Sequence, residues 1–253
     1  MSCKVILSGC LGRMGKTIVE LADKSNDFSI VAGVDIISAS NSAFPIYNDI
    51  SLIKDEADVI IDFSNPSTLD NLLNFAKQTS TPLVLATTGY NDEQIAKIKE
   101  FSKFIPIFFS FNMSLGVNLI VNLSKKAASI LSEGFDIEII EKHHNQKLDA
   151  PSGTAIMIAN AIDSVKNNEM QFEYDRHSKR QKRSAKEIGI HSVRGGTIVG
   201  EHEVIFAGDD EIVSISHTAT SRRVFAVGAL RAANFISKIK SVGLYDMEAL
   251  ISQ

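Results

Sequence analysis

The chain has 253 residues, of which 44% are hydrophobic and 22% charged, with a formal net charge of −4. That is enough apolar material for one large core or two modest ones. The charge balance argues against nucleic acid or an anionic membrane as the main partner. Cys3 and Cys10 are the two cysteines; they are too few for a disulfide framework and lack the histidine spacing of a zinc site. Reduced thiols in a cytoplasmic protein are expected. No signal peptide is expected, because no basic segment with a long apolar run opens the chain. No stretch reaches the ~18 uninterrupted apolar residues of a membrane span.

The first 113 residues alternate short apolar runs with helix-like segments. Strands are expected at Val5–Leu7, Phe28–Val34, Val59–Ile61, Pro82–Leu85 and Ile105–Phe109. Helices are expected over Met14–Lys24, after Pro66, and over Asn91–Ser102. Apolar strands alternating with helices predict a parallel sheet covered on both faces. A helix should then run between Ser114 as N-cap and Gly134 as C′ residue. A strand at Ile137–Ile140 follows, and Pro151-Ser152-Gly153 opens another helix. Ile188–Arg194, Ile198–Phe206 and Ile212–Thr218 alternate as half-buried strands. The turn signals at Gly195-Gly196 and Gly208-Asp209-Asp210 predict antiparallel pairing among them. A helix over Arg222–Ile239 precedes the closing Gly243–Met247 segment. The fold class is thus α/β, a doubly wound parallel sheet plus a second α+β domain with a mixed or antiparallel sheet. Arg176 to Lys186 carries six cations. It reads either as a solvated, mobile loop or as a lid over an anionic ligand.

The first strand runs into Gly9-Cys10-Leu11-Gly12-Arg13-Met14-Gly15 and then a helix. Such a turn lets backbone N–H groups approach a pyrophosphate at a helix N-terminus. The spacing is G-x-x-G-x-x-G rather than G-x-G-x-x-G, so its place between first strand and first helix carries the argument. Asp35, 20 residues beyond Gly15 at the end of the second strand, is suited to the adenosine ribose hydroxyls. No Lys or Arg lies between Ser25 and Ile53, where a 2′-phosphate would want a cation. NADH should therefore serve at least as well as NADPH, with Arg13 the one cation near enough to matter. Ala86-Thr87-Thr88-Gly89 and Ser110-Phe111-Asn112-Met113 also follow apolar strands. They should face the nicotinamide and its ribose, since ligands bind beyond the carboxyl ends of strands in open α/β sheets.

His143, His144, Lys147 and a helix-opening Ser152-Gly153-Thr154 fall within 12 residues. On a continuing strand the two histidines point to opposite sides, so only one need face a cleft. The amides and hydroxyls of Ser152, Gly153 and Thr154 suit a carboxylate. The chemistry implied is hydride reduction of a small anionic substrate. The accompanying proton comes from Lys147 or His143, and Lys147 is also placed to neutralise a carboxylate. An adjacent His pair is not the i, i+4 spacing of a helix-borne zinc site, so no metal is expected.

The run Glu141-Lys142-His143-His144-Asn145-Gln146-Lys147-Leu148-Asp149-Ala150-Pro151-Ser152-Gly153-Thr154-Ala155 resembles the signature of the 4-hydroxy-tetrahydrodipicolinate (dihydrodipicolinate) reductases. The likeness extends to Gly9–Gly15, Ile61–Ser64, Ala86–Gly89, Val193–Gly196, Val199–His202 and Gly243–Met247. It implies a dinucleotide-binding domain of residues 1–113 completed by 223–253. It also implies a second domain, 114–222, that binds a small dicarboxylate and builds a homotetramer. His143 and Lys147 then fall on the family's acid/base residues, His144, Gly153 and Thr154 on its substrate contacts. Gly9 to Met14 falls on its cofactor loop, and Asp35 on its ribose acid. The implied reaction is NAD(P)H-dependent formation of tetrahydrodipicolinate in diaminopimelate and lysine biosynthesis. Two departures stand out: Ile36 where some members carry Arg, and Ala86 where Gly is often seen. A different amino-acid dehydrogenase would share the glycine loop, but the Lys147-to-Thr154 stretch suits a rigid dicarboxylate; a dinucleotide sensor without catalysis would have no use for both His143 and Lys147.

Overall fold

The computed structural model describes residues 2–37, 42–131 and 134–252. The chain divides into two compact units, Met1–Leu115 with Arg223–Gln253, and Gly116–Arg222.

In chain order the first unit contains β1 (Cys3–Ser8), α1 (Arg13–Asp23), β2 (Phe28–Val34), β3 (Ile46–Tyr47), β4 (Val59–Asp62), α2 (Leu69–Thr79), β5 (Leu83–Leu85), α3 (Asp92–Phe101) and β6 (Pro106–Phe109). The second unit holds α4 (Leu115–Ile130, whose first residue belongs to unit one), β7 (Asp136–His143), α5 (Gly153–Ser164), β8 (Gln171–Glu173), β9 (Glu187–Arg194), β10 (Gly200–Ala207) and β11 (Ile212–Ala219). The chain then returns to the first unit with α6 (Arg223–Ile236), β12 (Gly243–Tyr245) and α7 (Met247–Ile251).

The first unit is built on one sheet, ordered β12-β6-β5-β4-β1-β2-β3, with every pairing parallel. Strand parity explains its two cores. Val5, Leu7, Val59 and Ile61 face Ile18 of α1 and Ala229, Ala233 and Ile236 of α6. Ile6, Ile60, Leu83 and Leu85 face Leu69, Leu72 and Leu73 of α2 and Ile98 of α3. Strands buried on both faces read as unbroken apolar runs for this reason. The strand order reverses direction at β1, so a crevice forms at the carboxyl ends of β1 and β4. Asn91 caps α3 with a complete capping box through Gln94, the signal expected at that start.

The second unit is a mixed sheet ordered β11-β10-β7-β9-β8. Here the expected antiparallel series needs correction. β10 and β11 form an antiparallel hairpin, but β9 does not pair with β10. β7 lies between them, parallel to β9 and antiparallel to β10. The Gly195–Val199 connection therefore crosses over the end of β7: Gly195 N–H donates to the His143 carbonyl at 2.9 Å and Asn145 N–H to the Gly196 carbonyl at 3.2 Å. Burying β7 on two sides serves its apolar residues, which pack with α4 and α5 through Ile137, Ile139, Ile158 and Ile162. Gly134 has φ +86° but lies four residues past the end of α4, so it is not that helix's C′ residue. The short β3, β8 and β12, of two or three residues, and the five-residue helix α7 were not anticipated; elements this short show no period.

Candidate active site

In the first unit the glycine loop is held from several sides. Gly9 and Cys10 N–H groups donate to the Val34 carbonyl, and Gly12 N–H donates to the Gly9 carbonyl. Gly9 sits at φ +76°, and a Cβ there would lie 2.8 Å from the carbonyl carbon of Phe63. Gly15 is needed for close approach: its Cβ would lie 2.6 Å from the Cys10 Cα. Gly12 caps α1 without a side-chain hydrogen bond, and no acidic residue occupies the first turn. That leaves the helix start suited to an anion. Asp35 accepts from Leu11 N–H at 2.8 Å and from Ile36 N–H at 2.9 Å. The loop and the ribose-suited acid are thus one assembly. The Cys10 side chain is buried beneath the loop, and burial pushes its thiol up to about 11.

A cleft of about 490 Å³ opens at the carboxyl ends of the strands. Arg13, Met14, Ala86, Thr87, Thr88, Phe111, Asn112 and Met113 line it, with Phe63, Ser64 and Phe225, to which sequence reasoning assigned no role. Gly9, Cys10, Leu11, Gly12, Asp35 and Ser110 are not in its wall; Ser110 instead donates its hydroxyl to the Asn112 carbonyl at 2.9 Å. A larger cleft of about 1000 Å³ lies at the amino ends, lined by Lys4, Asp58 and Thr81 among others. Position relative to the sheet decides between them, since ligands of such folds sit at carboxyl ends. Beneath the smaller cleft is Asp62, fully buried at the end of β4. It accepts from the Ser64 hydroxyl at 2.5 Å, Thr87 at 2.6 Å and Tyr90 at 3.3 Å. Burial pushes its carboxyl up, against those hydroxyls. Thr87 Oγ1 in turn accepts Ser64 N–H at 2.8 Å, so one buried acid joins the loops after β4 and β5.

In the second unit the buried face of the sheet changes character along its length. Ile215, Val204, Ile139 and Ile190 form one cross-strand row; two residues on, the row is His217, His202, Glu141 and Ser192. His143 ends β7 on that face, beside Arg194 of β9. Its Nδ1 lies 2.6 Å from Glu141 Oε2. Arg194 donates to both Glu141 oxygens, at 2.8 and 2.7 Å, and Ser152 N–H donates to Oε1 at 3.1 Å. Burial alone would raise the Glu141 carboxyl, but Arg194, Ser192 and His143 outweigh it and hold it at about 2. Burial lowers the His143 imidazole, and Lys147 and Arg194 act in the same direction against Glu141.

The chain turns after His143. His144, half-buried, accepts Lys147 N–H on its carbonyl at 3.1 Å. Lys147 Nζ lies 2.8 Å from Asp149 Oδ1. Ser152 caps α5, accepting Ala155 N–H at 3.2 Å, and its hydroxyl meets His202 Nε2 at 2.9 Å. The Ser152 side chain is 2% exposed, so it shapes the helix start, while Gly153 and Thr154 lie nearer the surface. No acidic residue occupies the first turn of α5. His202 is buried and held down to about 4, chiefly by burial and then by His143. Glu141, Arg194, Ser192 and His202 were not singled out as functional. One signal for Glu141 was available: it shares strand parity with Ile137, Ile139 and His143.

The basic segment is largely consumed by ion pairs. Arg176 meets Glu187, Lys179 meets Glu173, Arg183 meets Asp136 and Glu138, and Lys186 meets Glu169. These contacts tie four of its six cations to carboxylates of its own unit. Among the described residues no group of three or more His, Cys, Asp or Glu is arranged to hold a metal, and no helix is long and apolar enough to cross a membrane.

Family models match at both ends of this architecture: dihydrodipicolinate reductase, N-terminus, over residues 3–113, and dihydrodipicolinate reductase, C-terminus, over 116–251. A 4-hydroxy-tetrahydrodipicolinate reductase from Caldanaerobacter subterraneus subsp. tengcongensis is 51% identical over 253 residues, covering 100% of both chains. One from Clostridium novyi is 51% identical over 98% of each. Among solved structures, the dipicolinate-bound dihydrodipicolinate reductase from Paenisporosarcina sp. TG-14 superposes with a TM-score of 0.82 at 25% identity, covering 97% of this chain and 98% of that one.

Proposed function

The chain belongs to the dihydrodipicolinate reductase family, and from that premise we propose how its residues carry out NAD(P)H-dependent reduction of 4-hydroxy-tetrahydrodipicolinate to tetrahydrodipicolinate. This is an oxidoreductase step of diaminopimelate and lysine biosynthesis. Its balance is one hydride from the nicotinamide and one proton gained, with one water lost. The observation that carries the assignment of residues is the meeting of His143, Lys147 and the start of α5 at one end of β7.

The first domain, residues 1–113 completed by 223–253, binds the dinucleotide. The pyrophosphate lies on the N–H groups of the Gly9–Met14 loop and the uncapped start of α1. Asp35 takes the adenosine ribose, and Ala86–Thr88 with Ser110–Met113 surround the nicotinamide end. When bound, the dinucleotide supplies the hydride. The second domain, residues 114–222, binds the dicarboxylate: His144, Ser152, Gly153 and Thr154 hold its anionic groups, Ser152 by shaping the helix start. His143 and Lys147 handle the proton. Purified protein should oxidise NADH only when the condensation product of pyruvate and aspartate semialdehyde is supplied. Dinucleotide binding without turnover would make the chain a sensor instead.

NADH should serve at least as well as NADPH. Ile36, beside Asp35, is 90% exposed and offers no cation, and Asp35 itself repels a 2′-phosphate. Comparing kcat/KM for the two dinucleotides checks this, and a strong NADPH preference refutes it. We further propose a cytoplasmic homotetramer. The outer face of the second sheet leaves Ile140 and Ile205 half-buried and Val193 44% exposed, a surface suited to a second copy. Light scattering should report four times 27.6 kDa; a monomer at micromolar concentration would remove this element.

A further inference from the structure

We propose that Glu141 is the positioning residue of this site: it fixes His143 in one orientation and one tautomer, with the proton on Nδ1 and the lone pair on Nε2. The inference rests on the reading of His143 as a proton-transfer residue.

Glu141 is fully buried, two residues before His143 on the same face of β7. A lone carboxylate there would be protonated or expelled. Instead each oxygen takes two partners. Oε2 meets Arg194 Nη1 and His143 Nδ1; Oε1 meets Arg194 Nη2 and the Ser152 amide. An ionised carboxylate only accepts, so Nδ1 is the donor in the 2.6 Å contact and carries the ring's proton. Nε2 lies toward Gly200, where a Cβ would stand 3.1 Å from it. A residue without a side chain at 200 therefore leaves that nitrogen clear.

The guanidinium sets this apart from a bare His–carboxylate pair. A lone carboxylate would favour the imidazolium. Here four groups face the ring: Glu141 on its own strand, Lys147 beyond it, Arg194 on β9 and His202 on β10. Arg194 already neutralises Glu141, so the carboxylate orients the ring without charging it. The same network aligns the helix start. Ser152 Oγ accepts Ala155 N–H and lies 2.9 Å from His202 Nε2. His202 Nδ1 has no partner among the described residues.

The direct test uses the native protein. Nitrogen–proton correlation spectra of the histidine rings at pH 7, with His143 identified by its loss in His143→Gln, should show Nδ1 protonated and Nε2 bare. The opposite tautomer, or an imidazolium, overturns the proposal. The kinetic test is Glu141→Gln, whose amide nitrogen is able to donate to Nδ1 and reverse the tautomer. Its kcat should fall about 10²–10⁴-fold with the dinucleotide KM within about twofold, and Glu141→Asp should recover part of the loss. A folded Glu141→Gln protein turning over within about threefold of the parent overturns the proposal too. If that variant does not fold, the native spectra decide alone. Normal turnover in His143→Ala would instead remove the reading of His143 on which the inference rests.

Discussion

Replacing Lys147 with Ala should lower kcat by about 10²–10⁴-fold, the range expected when a positioned proton donor is removed. Lys147 is a short turn away from His143, tied back by its own N–H to the His144 carbonyl. Its ammonium is held by Asp149 and is 21% exposed, so it is oriented and yet reachable. Two roles compete for it. As proton donor it must give up a proton; as carboxylate clamp it need only be positive. Lys147→Arg separates them, because guanidinium keeps the charge but does not release a proton at working pH. If Lys147 donates the proton, Arg should be nearly as poor in kcat as Ala. If it is a clamp, Arg should restore kcat and the Ala defect should appear mainly in KM. Unchanged turnover in Lys147→Ala removes the residue from the mechanism altogether.

The two units were legible to different degrees. In the first, apolar runs of three to seven residues separated by amphipathic segments report a parallel sheet directly, since both strand faces are buried. The glycine loop and Asp35 sit at fixed points of that pattern, and the structure joins them through the Leu11 amide. In the second, Gly195-Gly196 carries the local chemistry of a hairpin turn, yet the segment is a crossover. Nothing local reports that β7, some fifty residues earlier, inserts between β9 and β10. That insertion brings Arg194 and His202 to Glu141, so those partners were hidden for the same reason. His143 and Lys147 were visible because their grouping is local. The role of Asp62 was hidden because its partners come from two loops, Ser64 after β4 and Thr87 and Tyr90 after β5.

Gly228→Ala should destabilise the first unit, although helix propensity alone predicts the reverse. Position 228 is interior to α6, where Ala is favoured over Gly by about 1 kcal/mol. A Cβ there, however, would overlap the Met113 carbonyl oxygen and lie 2.8 Å from its carbon. Both atoms are backbone, so no side-chain rotation relieves the contact; α6 or the segment after β6 must move. Overpacking of this kind costs about 1–3 kcal/mol and more where the neighbour is rigid. Taking the upper figure against the propensity gain leaves a net loss of about 2 kcal/mol, a fall in Tm of about 4–8 °C for a chain of this size. Because Met113 and Asn112 line the 490 Å³ cleft, the same displacement should raise the KM for the dinucleotide while leaving the His143 ring spectrum of the second unit unchanged. A Tm at or above the parent's would mean that α6 shifts freely on its sheet, and that Gly228 is not what sets the spacing between that helix and the cleft.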